Sequence, residues 1–316
     1  MSAMALPRGP ERTPVVVTGG SGFIGRVTVR AFRERGYPVT VVDRVPYETD
    51  DEGVRVVVGD LREPATREAA VTPGTGGIVH LAALTSVLKS VELPRETFTE
   101  NVAVTHELLE LSRERDVPRF VLASTNAVIG DVGTSAITLD LPTRPLTPYG
   151  ATKAACEMLL SGYSGAYGIT TCALRFTNVY GPGMSHKDSF VPRMMRAALK
   201  GEGVRVYGTG EQRRDLVHVD DVVRAIVLAY ESGHTGRAIV GAGHSVSVLE
   251  MVETVRAVTG AELPVEHVPA PAGEMPAVIV DVSASAETIG YRPAISLADG
   301  LATAWKYFSE LENPAP

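Results

Sequence analysis

Val15-Val16-Val17-Thr18-Gly19-Gly20-Ser21-Gly22-Phe23-Ile24-Gly25 decides how the rest of the chain is read. Three β-branched residues in succession, with no polar alternation, suit a strand buried on both faces. Glycines follow where such a strand must turn sharply into a helix, and a missing Cβ lets backbone N–H groups come close to a ligand. Gly20, Gly22 and Gly25 satisfy the dinucleotide fingerprint, while Gly19, Gly22 and Gly25 satisfy a wider-spaced variant. Phe23, Val27, Val29, Ala31 and Phe32 open a helical pattern behind them. Asp43 then follows at nearly the spacing, about 20 residues, at which an acid receives ribose hydroxyls. Gly19, Gly22, Phe23, Ile24, Gly25 and Asp43 are therefore candidate dinucleotide contacts. A carboxylate at Asp43 repels a 2′-phosphate, which favours NAD over NADP, with Arg44 and Arg26 as cations that partly offset this.

Outward from this stretch, strand and helix signals alternate. Val39–Asp43, Val54–Val58, Ile78–Leu81, Phe120–Ala123 and Thr171–Phe176 read as strands, with helices at Asn101–Arg115 and Tyr149–Ala166. Such alternation predicts an α/β fold, a doubly wound parallel Rossmann sheet with ligands beyond the carboxyl ends of its strands. Thr18, Asp43, Asp60 and the residues after Leu81 and Ala123 should line that crevice. After Tyr180-Gly181-Pro182-Gly183 the rhythm loosens. Short strands at Val204–Tyr207, Ala238–Val240 and Val265–Val268 mix with helices at Asp221–Glu231, Val248–Val258 and Leu297–Leu311. This predicts a dinucleotide-binding domain over 1–180 and a smaller C-terminal α+β substrate lobe over 181–316, with some chain crossing between them.

Composition narrows the class. Of 316 residues, 44% are apolar and 21% charged, ordinary for a soluble globular enzyme. A net charge of −7 argues against nucleic-acid binding, which needs clustered Lys and Arg. Cys156 and Cys172 form no disulfide framework and have no metal-ligand spacing, so both read as small buried hydrophobes in a reducing, cytoplasmic setting. Met1–Thr13 reads as a loose tail rather than a signal peptide, and no apolar run approaches the ~20 residues that span a bilayer.

The chemistry sits in Tyr149-Gly150-Ala151-Thr152-Lys153. Side chains at i and i+4 share one helix face. A phenol with a pKa near 10 is a poor base at neutral pH, and an adjacent ammonium favours its ionised form. With these residues the chain resembles the extended short-chain dehydrogenase/reductase family, in its nucleotide-sugar epimerase and dehydratase branch. The resemblance spans nearly the whole chain. It rests on the glycine stretch, Gly59-Asp60-Leu61, His80-Leu81-Ala82-Ala83, Ser124-Thr125, Tyr149-x-x-x-Lys153, Arg175-Phe176-Thr177-Asn178-Val179-Tyr180-Gly181-Pro182 and Arg214-Asp215-Leu216-Val217-His218-Val219-Asp220-Asp221.

The resemblance implies Tyr149 as acid/base, Lys153 as the ligand of nicotinamide ribose that also tunes Tyr149, and Thr125 as the hydrogen-bond partner of the reacting hydroxyl. It adds Asp60, Leu61, Leu81, Ala82 and Ala83 to the cofactor contacts. Thr85, Asn178 and Arg214 become substrate contacts, Arg214 for a diphosphate that its fork-shaped guanidinium suits. It also implies a homodimer, with the helices Asn101–Arg115 and Tyr149–Ala166 pairing across a two-fold. His80 and His218 flank apolar runs and read as structural, with no metal cluster around either. Ser124 reads as a supporting hydrogen-bond donor.

Relatives that eliminate water look like Thr-Asp-Glu after the strand, and decarboxylases carry Glu where Ala127 stands. Here Asn126 and Ala127 provide no carboxylate, which favours redox-neutral epimerisation at C4 of a UDP-hexose or UDP-hexuronate. For a hexuronate, Arg193 or Lys187 is available to the carboxylate. Two departures keep a second reading open. Ile129 replaces the usual Tyr, and Pro271 stands where a second diphosphate-binding Arg would precede Gly273-Glu274. Arg213 or Arg292 would have to compensate, or the substrate is a non-nucleotide alcohol oxidised with net release of NADH.

Overall fold

The computed structural model describes residues 12–270 and 275–312. The first half runs β1 (Val15–Thr18), α1 (Phe23–Glu34), β2 (Val39–Asp43), β3 (Val54–Val58), α2 (Pro64–Ala70) and β4 (Gly77–His80). Then come α3 (Val87–Glu92), α4 (Pro94–Phe98), α5 (Val104–Glu114), β5 (Arg119–Thr125), β6 (Ala136–Ile137), α6 (Pro148–Tyr167) and β7 (Thr170–Phe176). The second half holds β8 (Asn178–Tyr180), α7 (Phe190–Lys200), β9 (Val204–Tyr207), β10 (Arg213–His218), α8 (Val219–Ser232) and β11 (Gly236–Val240). It ends with β12 (Ser245–Ser247), α9 (Val248–Thr259), β13 (Val265–Val268), β14 (Ile279–Val280), α10 (Ser283–Thr288) and α11 (Leu297–Glu312).

Seven parallel strands form the main sheet in the order β11-β7-β5-β4-β1-β2-β3. Its two faces follow from the pleat. Val15 and Val17 of β1 point into one core with Val29 and Phe32 of α1 and Val222 and Ile226 of α8. Val16, between them, points into the opposite core with Leu108 of α5 and Cys156 and Leu160 of α6. All three valines are fully buried, which is why the run carries no polar alternation. A separate core, built on Met194, Met195, Met251, Leu301 and Phe308, holds the C-terminal lobe together.

The expected strands and helices up to Phe176 are present, with shifts of a residue or two at their ends. Four differences matter. The helix expected at Asn101 begins earlier: α4 runs through a π-helical turn at Thr99–Ala103 into α5, and Asn101, within that wide turn, is buried. The strand around Ala238, read as part of the smaller lobe, is the edge strand β11 of the main sheet, paired with β7. Arg12, at the end of the expected loose tail, is fastened to Glu231 at 2.9 Å and lies over the Tyr37 ring; residues 1–11 lie outside the described part. The outer face of α5 is polar at His106, Glu107, Arg113 and Glu114. Exposed apolar residues gather instead on Leu88 and Val91 of α3, Phe98 of α4 and Met158 of α6. Among the described residues no helix is long and apolar enough to cross a membrane.

Candidate active site

Strand order reverses beside β1 and β4, and a cleft of about 1460 Å³ opens beyond the carboxyl ends of those strands. That is more room than one small ligand needs. Gly19, Gly22, Phe23, Ile24, Gly25, Asp43, Asp60, Leu61, Leu81, Ala82 and Ala83 all line it, as expected. Gly19 has φ +68°, and a Cβ there would stand 2.8 Å from the backbone nitrogen of Ala82. On Gly25 a Cβ would meet the Gly19 carbonyl oxygen at 2.1 Å. The strand–turn–helix junction therefore closes only with glycine at both places. Gly22 caps α1 without a side-chain hydrogen bond and no acid sits in the first turn, so its leading N–H groups stay available to an anion.

Asp43 is held at the end of β2: Oδ2 accepts from the Ser21 N–H at 3.0 Å and Oδ1 from the Val45 N–H at 3.1 Å. The two nearby cations are engaged elsewhere. Arg44 pairs with Glu100 at 2.9 Å and with Asp60, and Arg26 donates to the Ser21 carbonyl and lies over the Tyr47 ring. Asp60 also chelates Arg62 at 2.6 Å, and that hydrogen bond is the main reason its carboxyl is held far below the usual range. The donor set fits a dinucleotide: unfilled N–H groups for the pyrophosphate, then an anchored carboxylate for ribose hydroxyls.

Thr18, expected in the crevice, lies instead beneath its floor, fully buried. Its Oγ1 accepts the N–H groups of Leu81 and Ala82, both at 3.1 Å, and contacts His80 Nδ1 at 2.7 Å. On the other side His80 Nε2 meets Thr105 Oγ1 at 3.2 Å, and that hydroxyl donates to the Asn101 carbonyl. The pattern assigns the proton to Nε2, and burial lowers the His80 pKa to about 3. His80 is thus a structural spacer, as read from the sequence. His218 caps α8 and contacts Thr303, also structurally.

Asn101 was missed. Its side chain accepts the Leu84 N–H at 2.8 Å and donates to the Leu84 carbonyl and to Thr152 Oγ1, both at 3.1 Å. It thereby fixes the loop that carries Thr85 into the cleft.

Tyr149 and Lys153 occupy the first turns of α6, whose start is set by Pro148 and the Thr147 cap. Gly150 lets this helix sit against the segment after β5, since a Cβ there would lie 2.5 Å from the Ala127 carbonyl oxygen. The Tyr149 N–H is held by Ser90 Oγ at 3.1 Å. The Thr125 hydroxyl lies beside the phenol, and Lys153 Nζ donates to the Ala123 carbonyl at 2.9 Å. The ionisation differs from expectation. Burial pushes the phenol up to about 12, opposed by the Thr125 hydroxyl, with no lowering from Lys153. Burial also lowers the Lys153 pKa, with Cys156 and Glu157 working against that.

The far wall comes from β8, α7 and β10, with Asn178, Arg193 and Arg214, and Thr85, Thr125 and Lys187 line the same cleft. Asn178 donates its amide to the Asp215 carbonyl at 3.2 Å, and Arg214 Nη1 donates to the Arg213 carbonyl at 2.8 Å. Arg193 is clamped by Asp188 through two bonds of 2.7 Å. Arg213 turns away, toward Ser245 and Glu250, and neither it nor Arg292 lines the cleft. Pro271, Gly273 and Glu274 lie outside the described residues. Ile129 is buried in a small apolar cluster, and both cysteines are buried.

Relatives of known activity share this architecture. A profile of the NAD dependent epimerase/dehydratase family matches residues 15–242. The UDP-glucose 4-epimerase of Corynebacterium glutamicum is 31% identical, with 94% of this chain and 96% of that one covered. A dTDP-glucose 4,6-dehydratase of Streptomyces niveus is 31% identical over 94% of this chain and 93% of that one. Among solved structures, MoeE5 in complex with UDP-glucuronic acid and NAD superposes with a TM-score of 0.85, at 35% identity over 94% of this chain and 99% of that one. On the family match and these identities, the chain is an enzyme that belongs to the NAD-dependent epimerase/dehydratase family, in the extended short-chain dehydrogenase/reductase branch.

Proposed function

We propose that the chain is a NAD-dependent 4-epimerase of a UDP-hexose or UDP-hexuronate, acting through a transient 4-keto sugar. The observation that carries the reading is the make-up of the β5 tip. Thr125 stands beside the Tyr149 phenol there, Lys153 lies below, and Asn126 and Ala127 follow. Inverting one carbon needs one group that takes and returns one hydroxyl proton, and Tyr149 is that group. Eliminating water needs a further carboxylate at the reacting carbons. The carboxylates lining the described cleft are Asp43, Asp60, Glu100, Asp188 and Glu202, none of them at the β5 tip.

When bound, NAD supplies hydride transfer at C4, out and back. The Phe23 and Ile24 N–H groups above the Gly19–Gly25 turn would hold its pyrophosphate, Asp43 its adenosine ribose, and Asp60 and Leu61 its adenine side, with Leu81, Ala82 and Ala83 lining the same cleft and Lys153 holding the nicotinamide ribose. A phenol held near 12 is scarcely ionised at neutral pH, so Tyr149 depends on the further positive charge that bound NAD would bring to give up its proton. Thr125 orients the reacting hydroxyl. Arg214 binds the diphosphate, and Asn178 and Thr85 border the sugar. Of Arg193 and Lys187, Arg193 is committed to Asp188, which leaves Lys187 for a hexuronate carboxylate. The likeness to a UDP-glucose 4-epimerase and to a UDP-glucuronic acid complex supports this substrate class.

The chain also reads as a homodimer. Leu88, 78% exposed, Val91, Phe98 and Met158 lie exposed on the mutually packed helices α3, α4 and α6, and Gly162 and Gly165 leave open surface on α6 for a close helix approach. Met158→Arg should convert a dimer to a monomer in light scattering, and a monomeric native chain would overturn that assignment.

The activity test incubates the NAD-loaded protein with UDP-glucose or UDP-glucuronic acid and follows products by nuclear magnetic resonance and NADH by absorbance. The C4 epimer should appear without net NADH, roughly 10²–10⁴ slower in Tyr149→Phe. Stoichiometric NADH without epimer would establish the dehydrogenase instead, and a dehydrated 4-keto product a dehydratase.

A further inference from the structure

We propose that Glu157 and Arg175 are positioning residues for the Tyr149–Lys153 pair, a buried ion pair that locks the end of β5 to α6 and holds a negative charge opposite the Lys153 ammonium. The inference rests on the reading of Tyr149 and Lys153 given above.

Helix α6 presents Tyr149, Lys153 and Glu157 at successive four-residue steps, one stripe on one face. The last three residues of β5 answer them one by one. The Thr125 hydroxyl stands beside the Tyr149 phenol, the Ala123 carbonyl accepts from Lys153 at 2.9 Å, and the Ser124 hydroxyl donates to Glu157 Oε1 at 2.6 Å. Arg175 stands directly beside Ser124 in the parallel register of β7. It donates Nε to Glu157 Oε1 at 3.0 Å and Nη2 to Oε2 at 2.7 Å. Neither side chain of the pair has any exposed surface.

Stability does not account for this arrangement. Ion pairs removed from water give back in desolvation much of what their attraction supplies, and apolar groups of similar volume commonly serve the fold as well. Arg175 Nη1 even lacks a hydrogen-bond partner among the described residues, a further desolvation cost. What apolar residues cannot supply is charge. Lys153 is itself buried, and the groups facing it are Tyr149, Cys156 and Glu157 on its own helix, the Ala123 carbonyl of β5 and neutral His80 of β4. Arg175 of β7 lies on the far side of Glu157. Burial raises the Cys156 thiol pKa, which leaves Glu157 as the anion in this set. A carboxylate there favours the ammonium over the neutral amine, while the Ser124 bond fixes the height of Thr125 against Tyr149.

The test separates charge from fold. Glu157→Gln alone would leave Arg175 unpaired in the interior and endanger folding. The decisive variant is therefore Glu157→Gln/Arg175→Met, which makes the site neutral at nearly constant volume. It should melt close to the native protein. Its turnover should fall roughly tenfold or more with KM for the sugar nucleotide little changed, and the alkaline limb of its pH–rate profile should move to lower pH. Calorimetric NAD binding by the cofactor-stripped chain should weaken at alkaline pH over the same range, a readout independent of turnover. Ser124→Ala, which keeps the charge, should lower turnover without moving the limb. A double variant with native turnover, native alkaline limb and native NAD affinity would overturn the positioning role. If the double variant does not fold, native turnover in Ser124→Ala overturns it. Tyr149→Phe, assayed alongside, keeps the two readings apart: full activity there removes the acid/base assignment itself.

Discussion

Replacing Gly25 with alanine tests the junction on which the nucleotide site is built. The added Cβ would stand 2.1 Å from the Gly19 carbonyl oxygen, 2.7 Å from Gly20 Cα and 2.8 Å from the Gly20 carbonyl carbon. Ordinary contact begins at 3.4 Å, so the first turn of α1 must lift off the glycine turn by about 1 Å. Every clashing atom is backbone, and no rotamer change can relieve it. Overpacking of this kind costs about 1–3 kcal/mol, which corresponds to a fall in melting temperature of roughly 2–10 °C. Cofactor binding should suffer more. Hydrogen bonds to a charged group contribute about 1.5–3 kcal/mol each, and moving Phe23 and Ile24 N–H groups by ~1 Å should raise the Kd for NAD roughly a hundredfold. Differential scanning fluorimetry and calorimetric titration with NAD read the two effects. Gly22→Ala is the internal control, because its Cβ would meet the Gly19 carbonyl oxygen at 3.2 Å, a far milder contact. Native melting and native NAD affinity in Gly25→Ala would refute the seating of α1 on the glycine turn.

Asp43→Ser should lower NAD affinity and narrow the preference over NADP, by roughly tenfold; a variant that still discriminates as the native chain does would remove Asp43 from cofactor choice. His80 is buried in its neutral form with its pKa lowered from 6.5 to about 3, so its contribution to stability is present above pH 6.5 and lost as the pH falls toward 3. That interval corresponds to about 5 kcal/mol as an upper figure. Urea midpoints of the native chain should therefore fall more steeply with acid than those of His80→Gln, and parallel curves would refute it. Asn101→Ala strips Leu84 and Thr152 of their partners and should cost about 2–4 kcal/mol. An unchanged melting temperature would show that the loop after β4 is held by other means.

What the chain disclosed in advance was whatever depends on neighbours in sequence. The buried β1, the glycine turn and the four-residue step from Tyr149 to Lys153 are local patterns, and each stands where its spacing put it. The membership of β11 was not legible, because Gly236–Val240 is the same short apolar run whether it pairs with β7 or with a strand of the smaller lobe. Strand β10 is also hard to read locally, because it opens on Arg213-Arg214-Asp215 and only the assembled lobe buries Asp215. Electrostatics was legible least of all. The sequence pairs Lys153 with Tyr149, but burial, which no local pattern reports, dominates both groups. Glu157 did leave a trace, as the next four-residue step beyond Lys153. Its counter-ion on β7 is visible only once the sheet is assembled.

The placement of β11 has a bearing on how the molecule comes into being. A ribosome that has released residue 180 has delivered six of the seven main-sheet strands and neither α8 nor the edge that shields β7. The nucleotide half stays unfinished, with the flank of β7 uncovered, until some sixty further residues emerge and the chain doubles back. Maturation of the cofactor cradle is thereby yoked to synthesis of the opposite lobe, and a gene cut between the two would yield a frayed sheet in place of a minimal nucleotide binder.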